Sequence, residues 1–307
     1  MEIISLLLLG AIAGTLAGLL GVGGGIVIVP VLLWVFQSHA DMPTLRIMQM
    51  AIGTTMATIV ITSISSIVAH HQRRAVLWTI VWQLVPGIIV GALLGAILAN
   101  ALSSDTLQTL FAVFLLLLSA QLGLRTQPGA DDSSPAGSQT NNNQPQSCQT
   151  GTYTPRLSLD DYGKGNGQCQ AVENQYQLPS RLGMGFMGIV IGVISALVGI
   201  GGGSLIVPFL VWCQIPIRHA IATSAACGFP IAVSGTAGFM AVGWHVNELP
   251  TFSSGYIYWP ALAAIAPISL LFAPLGAKWA HTISKNRLKK FFAVFLIIVG
   301  INMLLNT

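Results

Sequence analysis

The stretch "GLLGVGGGIVIVP" (18–30) returns much later in the chain as "ALVGIGGGSLIVP" (196–208). Each sets three adjacent glycines inside a long apolar run, with a proline five residues further on. Clustered glycines weaken a helix in mid-run and let another group approach the main chain closely. Both stretches therefore read as deliberate breaks in otherwise helical segments.

The likeness extends outward from the breaks. Leu19, Gly21, Gly23, Gly24, Gly25, Ile28, Val29, Pro30, Leu32 and Trp34 each meet an identical residue when 19–36 is laid on 197–214. "AIGTT" (51–55) meets "AIATS" (220–224), and Pro86 meets Pro267. "LGA" (94–96) meets "LGA" (275–277), and "FAVFL" (111–115) meets "FAVFL" (292–296). The order is kept throughout, which makes this an internal duplication. Repeats of this size in membrane chains are typical of secondary transporters.

Composition places the chain in a bilayer. Of its 307 residues 53% are hydrophobic and 7% charged, where a soluble domain carries about 25% charge. Runs such as "IVWQLVPGIIVGALLGAILANAL" (80–102) can cross a hydrocarbon core of roughly 30 Å. The first stretch, "IISLLLLGAIAGTLAGLLG", has no basic n-region and no small-residue cleavage site, so it reads as a structural segment. Between the halves, "QPGADDSSPAGSQTNNNQPQSCQTG" has almost no large apolar residues and cannot offset its own ordering entropy. The expected organisation is a first membrane repeat (1–125), a polar and largely disordered cytoplasmic linker (126–180) and a second membrane repeat (181–307).

Basic residues in short loops mark the cytoplasmic side. "HHQRRAV" holds Arg73 and Arg74, while its counterpart "GWHVNELPTFSSG" has no Lys or Arg. "ANALSSDT" has none, while its counterpart "KWAHTISKNRLKK" has five. The bias swaps between equivalent loops, so the repeats are expected to be inverted. Each half must then cross an odd number of times. Spans near 46–69, 78–99 and 107–124, and near 218–242, 256–279 and 288–305, give three per half. The glycine segment then forms a helical hairpin or re-entrant pair. The expected fold is all-α, with two inverted repeats, each a glycine-broken hairpin plus three transmembrane helices. The linker would be cytoplasmic and both chain ends outside.

The breaks suggest a task. Helix-start N–H groups carry partial positive charge and suit an anion. Unwound backbone at membrane depth survives only within protein or around a wet cavity. Two inverted breaks near the midplane would make one anion cradle from Gly23, Gly24, Gly25, Gly201, Gly202 and Gly203. Close helix packing is the competing use of such glycines. Thr54, Thr55, Thr223 and Ser224 stand at equivalent positions and could complete the cradle, as could Ser204; bonding back to their own carbonyls is the alternative. Arg46 and Arg218 flank equivalent spans and could draw anions into each vestibule, or act as plain interfacial anchors. Gln49 and Gln83 are expected in helix–helix hydrogen bonds.

Other classes fare poorly. The carboxylates fall in the insert (Asp131, Asp132, Asp160, Asp161, Glu173) or at segment ends and short connections (Glu2, Asp41, Asp105, Glu248). The lack of intramembrane acids argues against a cation carrier. Cys213 and Cys227 have no base at an obvious matching depth, so an intramembrane enzyme is not expected. Cys148 and Cys169 fit no metal spacing. No GK[ST] follows either glycine cluster, so a nucleotide loop is a poor rival. No catalytic residue, metal, cofactor or nucleic acid is expected. The expected partners are the lipid bilayer and a small anion, with homodimerisation left open.

"LLGVGGGIVIVPVL", "AIGTTMATIVITSISSIVAHHQRRAVLW", "PGIIVGALLGAILA" and "APLGAKWAHTISKNRLKKFFAVFLIIVGINML" together resemble the TauE/SafE sulfite exporter family. The resemblance covers both membrane halves. It implies an inner-membrane permease for sulfite, sulfoacetate or related organosulfur anions, with the glycines and the hydroxyls at 54, 55, 223 and 224 at its site. The insert at 126–180 departs from the short mid-chain loop expected of that family.

Overall fold

The structure is a computed structural model and describes residues 10–11, 14–15, 24–38, 44–72, 76–124, 179–246, 249–282 and 285–305. By backbone contacts the chain divides into two units, Met1–Thr126 with Tyr176–Thr307, and Gln127–Gln175. Every described element belongs to the first. The expected linker, apart from Pro179 and Ser180, lies outside the described residues, as do Gly23, Arg73, Arg74, Cys148 and Cys169.

In chain order the elements are α1 (Gly25–Gln37), a 3-10 turn (Thr44–Arg46), α2 (Ile47–Gln72), α3 (Trp78–Ala101), α4 (Ser104–Leu124), α5 (Arg181–Val198), α6 (Gly203–Trp212) and α7 (Ile217–Gly243). A two-stranded antiparallel hairpin, β1 (Ser253–Ser254) and β2 (Ile257–Tyr258), precedes α8 (Trp259–Thr282) and α9 (Lys285–Leu305). Gly10, Ala11, Gly14 and Thr15 are also helical. Windows of 18 residues or more in α2, α3, α4, α5 and α7 are long and apolar enough to cross a membrane. The protein is an all-helical, multi-pass membrane protein. The hairpin at 253–258 is a local addition in a loop.

Helix lengths separate the breaks from the spans. At about 1.5 Å per residue, α5 is roughly 27 Å long, near a full hydrocarbon core, while α6 is roughly 15 Å. The second glycine stretch thus joins a spanning helix to a short one. Ser180 opens α5, its hydroxyl accepting the Gly183 N–H at 3.3 Å.

Small residues decide which helices touch. Gly87, Gly91 and Gly95 run along one face of α3; Gly188, Gly192 and Ala196 run along one face of α5. A Cβ at Gly188 would lie 2.6 Å from the Leu84 carbonyl oxygen, and one at Gly192 2.6 Å from that of Ile88. In return Gly87 abuts the Gly185 carbonyl, Gly91 that of Ile189 and Gly95 that of Val193. Both chain numbers rise together, so α3 and α5 run parallel. The same contact recurs with the halves exchanged. A Cβ at Gly10 would lie 3.1 Å from the Ile265 carbonyl oxygen, and one at Gly14 2.6 Å from that of Ser269, on α8. Gly10 and Gly14 are the repeat equivalents of Gly188 and Gly192, and Ile265 and Ser269 those of Leu84 and Ile88. Each half's first helix therefore packs along the other half's fourth.

Around these contacts lies a core of Ile28, Leu32, Phe36, Met48, Ile52, Met56, Phe111, Phe239 and Tyr256, with a second of Leu84, Ile88, Met184, Ile206, Leu210, Cys227 and Ile231. Phe36 meets Tyr258 edge-on, ring centroids 5.8 Å apart. The final helices of the halves are joined by polar ties: Gln108 Nε2 donates to the Met303 carbonyl at 2.9 Å, and Ser119 Oγ to that of Ala293 at 3.1 Å. Large apolar side chains left uncovered, among them Trp82, Ile97, Leu117 and Ile298, are those a bilayer would cover.

Candidate functional site

The two breaks have the same backbone. Gly24 caps α1 at φ 75°, ψ −16°, and Gly202 caps α6 at φ 75°, ψ −15°. These left-handed angles suit glycine. In each case the cap carbonyl takes the first two helical bonds. Val27 and Ile28 N–H donate to Gly24 at 3.0 Å each, and Leu205 and Ile206 N–H to Gly202 at 3.1 and 2.8 Å. The N–H groups of Gly25 and Ile26, and of Gly203 and Ser204, come before any carbonyl one turn back and have no partner within their helix. Pro30 and Pro208, lacking an N–H, leave the carbonyls of Ile26 and Ser204 without their usual helical donor. Gly199 ends α5 in another left-handed cap at φ 72°, its N–H bonded to the Ser195 carbonyl.

The breaks meet. Gly25 presses against the Gly199 carbonyl, and a Cβ there would lie 3.3 Å from the Ile200 Cα. Gly24, Gly25, Gly201, Gly202 and Gly203 are all buried. A Cβ on Gly228 of α7 would lie 2.8 Å from the Gly201 carbonyl oxygen, while Ile59 of α2 reaches both breaks. Glycine is thus used in both ways: the caps turn the chain, and Gly25 permits close approach.

The hydroxyl candidates divide by helix face. Thr55 shares a face of α2 with Ile52 and Ile59, and Ser224 a face of α7 with Gly228 and Ile231, so these two point toward the breaks. Both hydroxyls donate back within their own helix, Thr55 to Ala51 at 2.7 Å and Ser224 to Ile221 at 2.8 Å. Thr54 and Thr223 point away. Thr54 Oγ1 accepts the Tyr258 N–H at 3.0 Å, at the start of α8. Thr223 Oγ1 accepts the Leu77 N–H at 3.1 Å, at the start of α3. Each threonine thus anchors the fourth helix of the opposite half. Thr54→Val and Thr223→Val should each cost about 1–3 kcal/mol by stranding a backbone donor, while Thr→Ser at either site retains most of the stability. Thermal unfolding in detergent reads this; equal melting for Val and Ser would contradict it.

Ser204 Oγ is buried at the second break, without a hydrogen-bond partner among the described residues. Arg46 is half-buried at the head of α2, its Nη1 donating to the Asn100 carbonyl at 2.8 Å. It belongs to a polar knot away from the glycines. Tyr256 Oη donates to Asn100 Oδ1 at 2.6 Å, and burial pushes that phenol up against a smaller opposing pull from Arg46, so it stays a donor. Gln49 donates to the Leu102 carbonyl at 2.9 Å and accepts from Ser104 at 3.2 Å, tying α2 to the turn between α3 and α4. Arg218 sits on α7; its side chain lies outside the described set. A separate groove of about 260 Å³ lies between α1, α4 and α9, lined by Pro30, Trp34, Gln108, Phe295 and Asn302 among others.

The sequence profile of the family described as sulfite exporter TauE/SafE matches residues 6–303, both glycine breaks included. The chain belongs to the sulfite exporter TauE/SafE family. A relative from Haemophilus influenzae, described as "Probable membrane transporter protein", is 35% identical over 299 residues, covering 97% of each chain. A Bacillus subtilis relative, "Probable membrane transporter protein YunE", is 27% identical over 304 residues, covering 98% of this chain and 96% of its own. No solved structure matches. This TauE/SafE member is a membrane transporter, not an enzyme.

Three features of its site were out of reach of sequence reasoning. Ile59 is one apolar residue among many. Gly228 is a lone glycine whose half-one equivalent is that same isoleucine. The backbone partners of Thr54 and Thr223 lie 204 and 146 positions away.

Proposed function

We infer that the protein is a carrier for small sulfur-containing oxyanions such as sulfite or sulfoacetate, working outward across the cell's inner membrane by alternating access around the paired breaks. The observation that carries this is the meeting of the two breaks at Gly25 and Gly199, each followed by a helix start whose first N–H groups have no partner within their helix. Such donors favour an anion, and an oxyanion can take several at once. The family description names sulfite; sulfoacetate comes from the likeness noted above.

Alternating access needs inverted halves, and the packing supports them. With a hairpin contributing an even number of crossings, the helix before the first break and α3 traverse the bilayer in opposite senses. Its counterpart α5 runs parallel to α3, so equivalent helices point opposite ways. The exchanged threonine bonds agree, because Thr54 and Tyr258 must share one side and Thr223 and Leu77 the other. In a background free of native cysteines, Ser103→Cys and Ser284→Cys are expected to react with an impermeant thiol reagent from opposite sides. Reaction of both from one side would refute inversion.

Direction is read in vesicles. Everted membranes containing the protein should accumulate labelled sulfite from outside, as an exporter would, at several times the rate of right-side-out membranes. Saturable uptake confined to right-side-out vesicles would make it an importer.

A further inference from the structure

We propose that Ile59 sets the upper size of the anion that the paired breaks accept; this rests on the carrier reading above. Ile59 is fully buried on α2. A Cβ at Gly25 would stand 3.0 Å from its Cδ1, and a Cβ at Gly201 3.1 Å from its Cγ2. One side chain therefore touches both breaks, beside the point where they meet. The repeat equivalent of Ile59 is Gly228, which has no side chain and lets α7 close directly onto the Gly201 carbonyl. The cradle is asymmetric as a result, with one wall backbone and the other a branched hydrocarbon.

Ile59 is suited to act as a filter. A β-branched residue in a helix is largely held to one χ1 rotamer, so the Cγ2 methyl at Gly201 is fixed and only the Cδ1 tip at Gly25 can turn. It also brings no hydrogen-bonding group. An anion seated on the N–H donors of Gly25, Ile26, Gly203 and Ser204 meets Ile59 as a fixed steric limit. A compact oxyanion would sit within that limit, whereas an alkanesulfonate with a carbon tail would have to displace it.

The test compares transport of sulfite and of the larger sulfoacetate in proteoliposomes. Ile59→Ala is expected to raise the sulfoacetate-to-sulfite ratio of kcat/KM at least tenfold, and Ile59→Val to raise it by a smaller factor. Leu115→Ala, an equally buried truncation on α4, should leave the ratio unchanged. An unchanged ratio in Ile59→Ala protein that still carries sulfite overturns the proposal. Should that variant fail to fold, an unchanged ratio in Ile59→Val does the same. The two readings fail separately. Ratios that ignore Ile59 while Gly24→Val abolishes transport sink the filter alone; a wild-type protein that moves neither anion sinks both.

Discussion

Transport is expected to disappear in Gly24→Val and in Gly202→Val, while both variants still reach the membrane. Each glycine holds a left-handed cap at φ 75°. A side chain there costs roughly 1–2 kcal/mol, more when β-branched. That is small against the packing of a helical bundle but large for the orientation of a helix start. At Gly202 the added carbon runs into the tip of Ile231, a flexible end that can yield, so the fold should survive. What does not survive is the aim of the N–H groups of Gly203 and Ser204. Misplacing such donors by an ångström costs on the order of 10²-fold in rate. Gly202→Asn separates strain from volume, because Asn tolerates the left-handed region; it should keep part of the activity. Full transport by both valine variants would remove the breaks from the mechanism.

Gly192→Leu is expected to fail earlier, at folding. A Cβ there would lie 2.6 Å from the Ile88 carbonyl oxygen and 2.8 Å from the Ala92 nitrogen. Both are backbone atoms of a packed helix, so neither yields as a side-chain tip would. Overpacking of this kind costs about 3 kcal/mol or more. The bilayer offers no hydrophobic gain to offset it, since lipid tails solvate leucine as well as another helix does. The expected result is loss of the monodisperse protein on size exclusion, with Gly192→Ala intermediate. A leucine variant that melts like wild type would mean that α3 and α5 do not pack along this face.

The pattern of these effects explains what the sequence could disclose. The duplicated glycines, the proline after each and the long apolar runs act locally, through backbone freedom and hydropathy. They were enough to place α2, α3, α4, α7, α8 and α9 to within a few residues and to mark the two glycine clusters as turning points. The small residues of α3 and α5 were visible too, but not their pairing, which depends on contacts between residues about a hundred positions apart. Thr54 and Thr223 show the same limit. Their matched positions drew attention as cradle hydroxyls, yet each anchors the start of the opposite half's fourth helix, while Thr55 and Ser224 face the breaks. The hairpin at 253–258 was invisible because two-residue strands leave no alternation to read. Ile59 was invisible for a different reason: in an apolar chain, an isoleucine packed against two glycine breaks has the same chemistry as one that meets lipid.

The carrier reading is tested most directly by counterflow. Purified protein in proteoliposomes, preloaded with unlabelled sulfite, sulfoacetate, thiosulfate, sulfate or chloride, is exposed to labelled sulfite outside. Saturable, transient accumulation of label is expected, driven most strongly by internal sulfite and more weakly by sulfoacetate, with little from chloride and none in Gly24→Val. No exchange with any of these anions, in protein verified as folded, would contradict it.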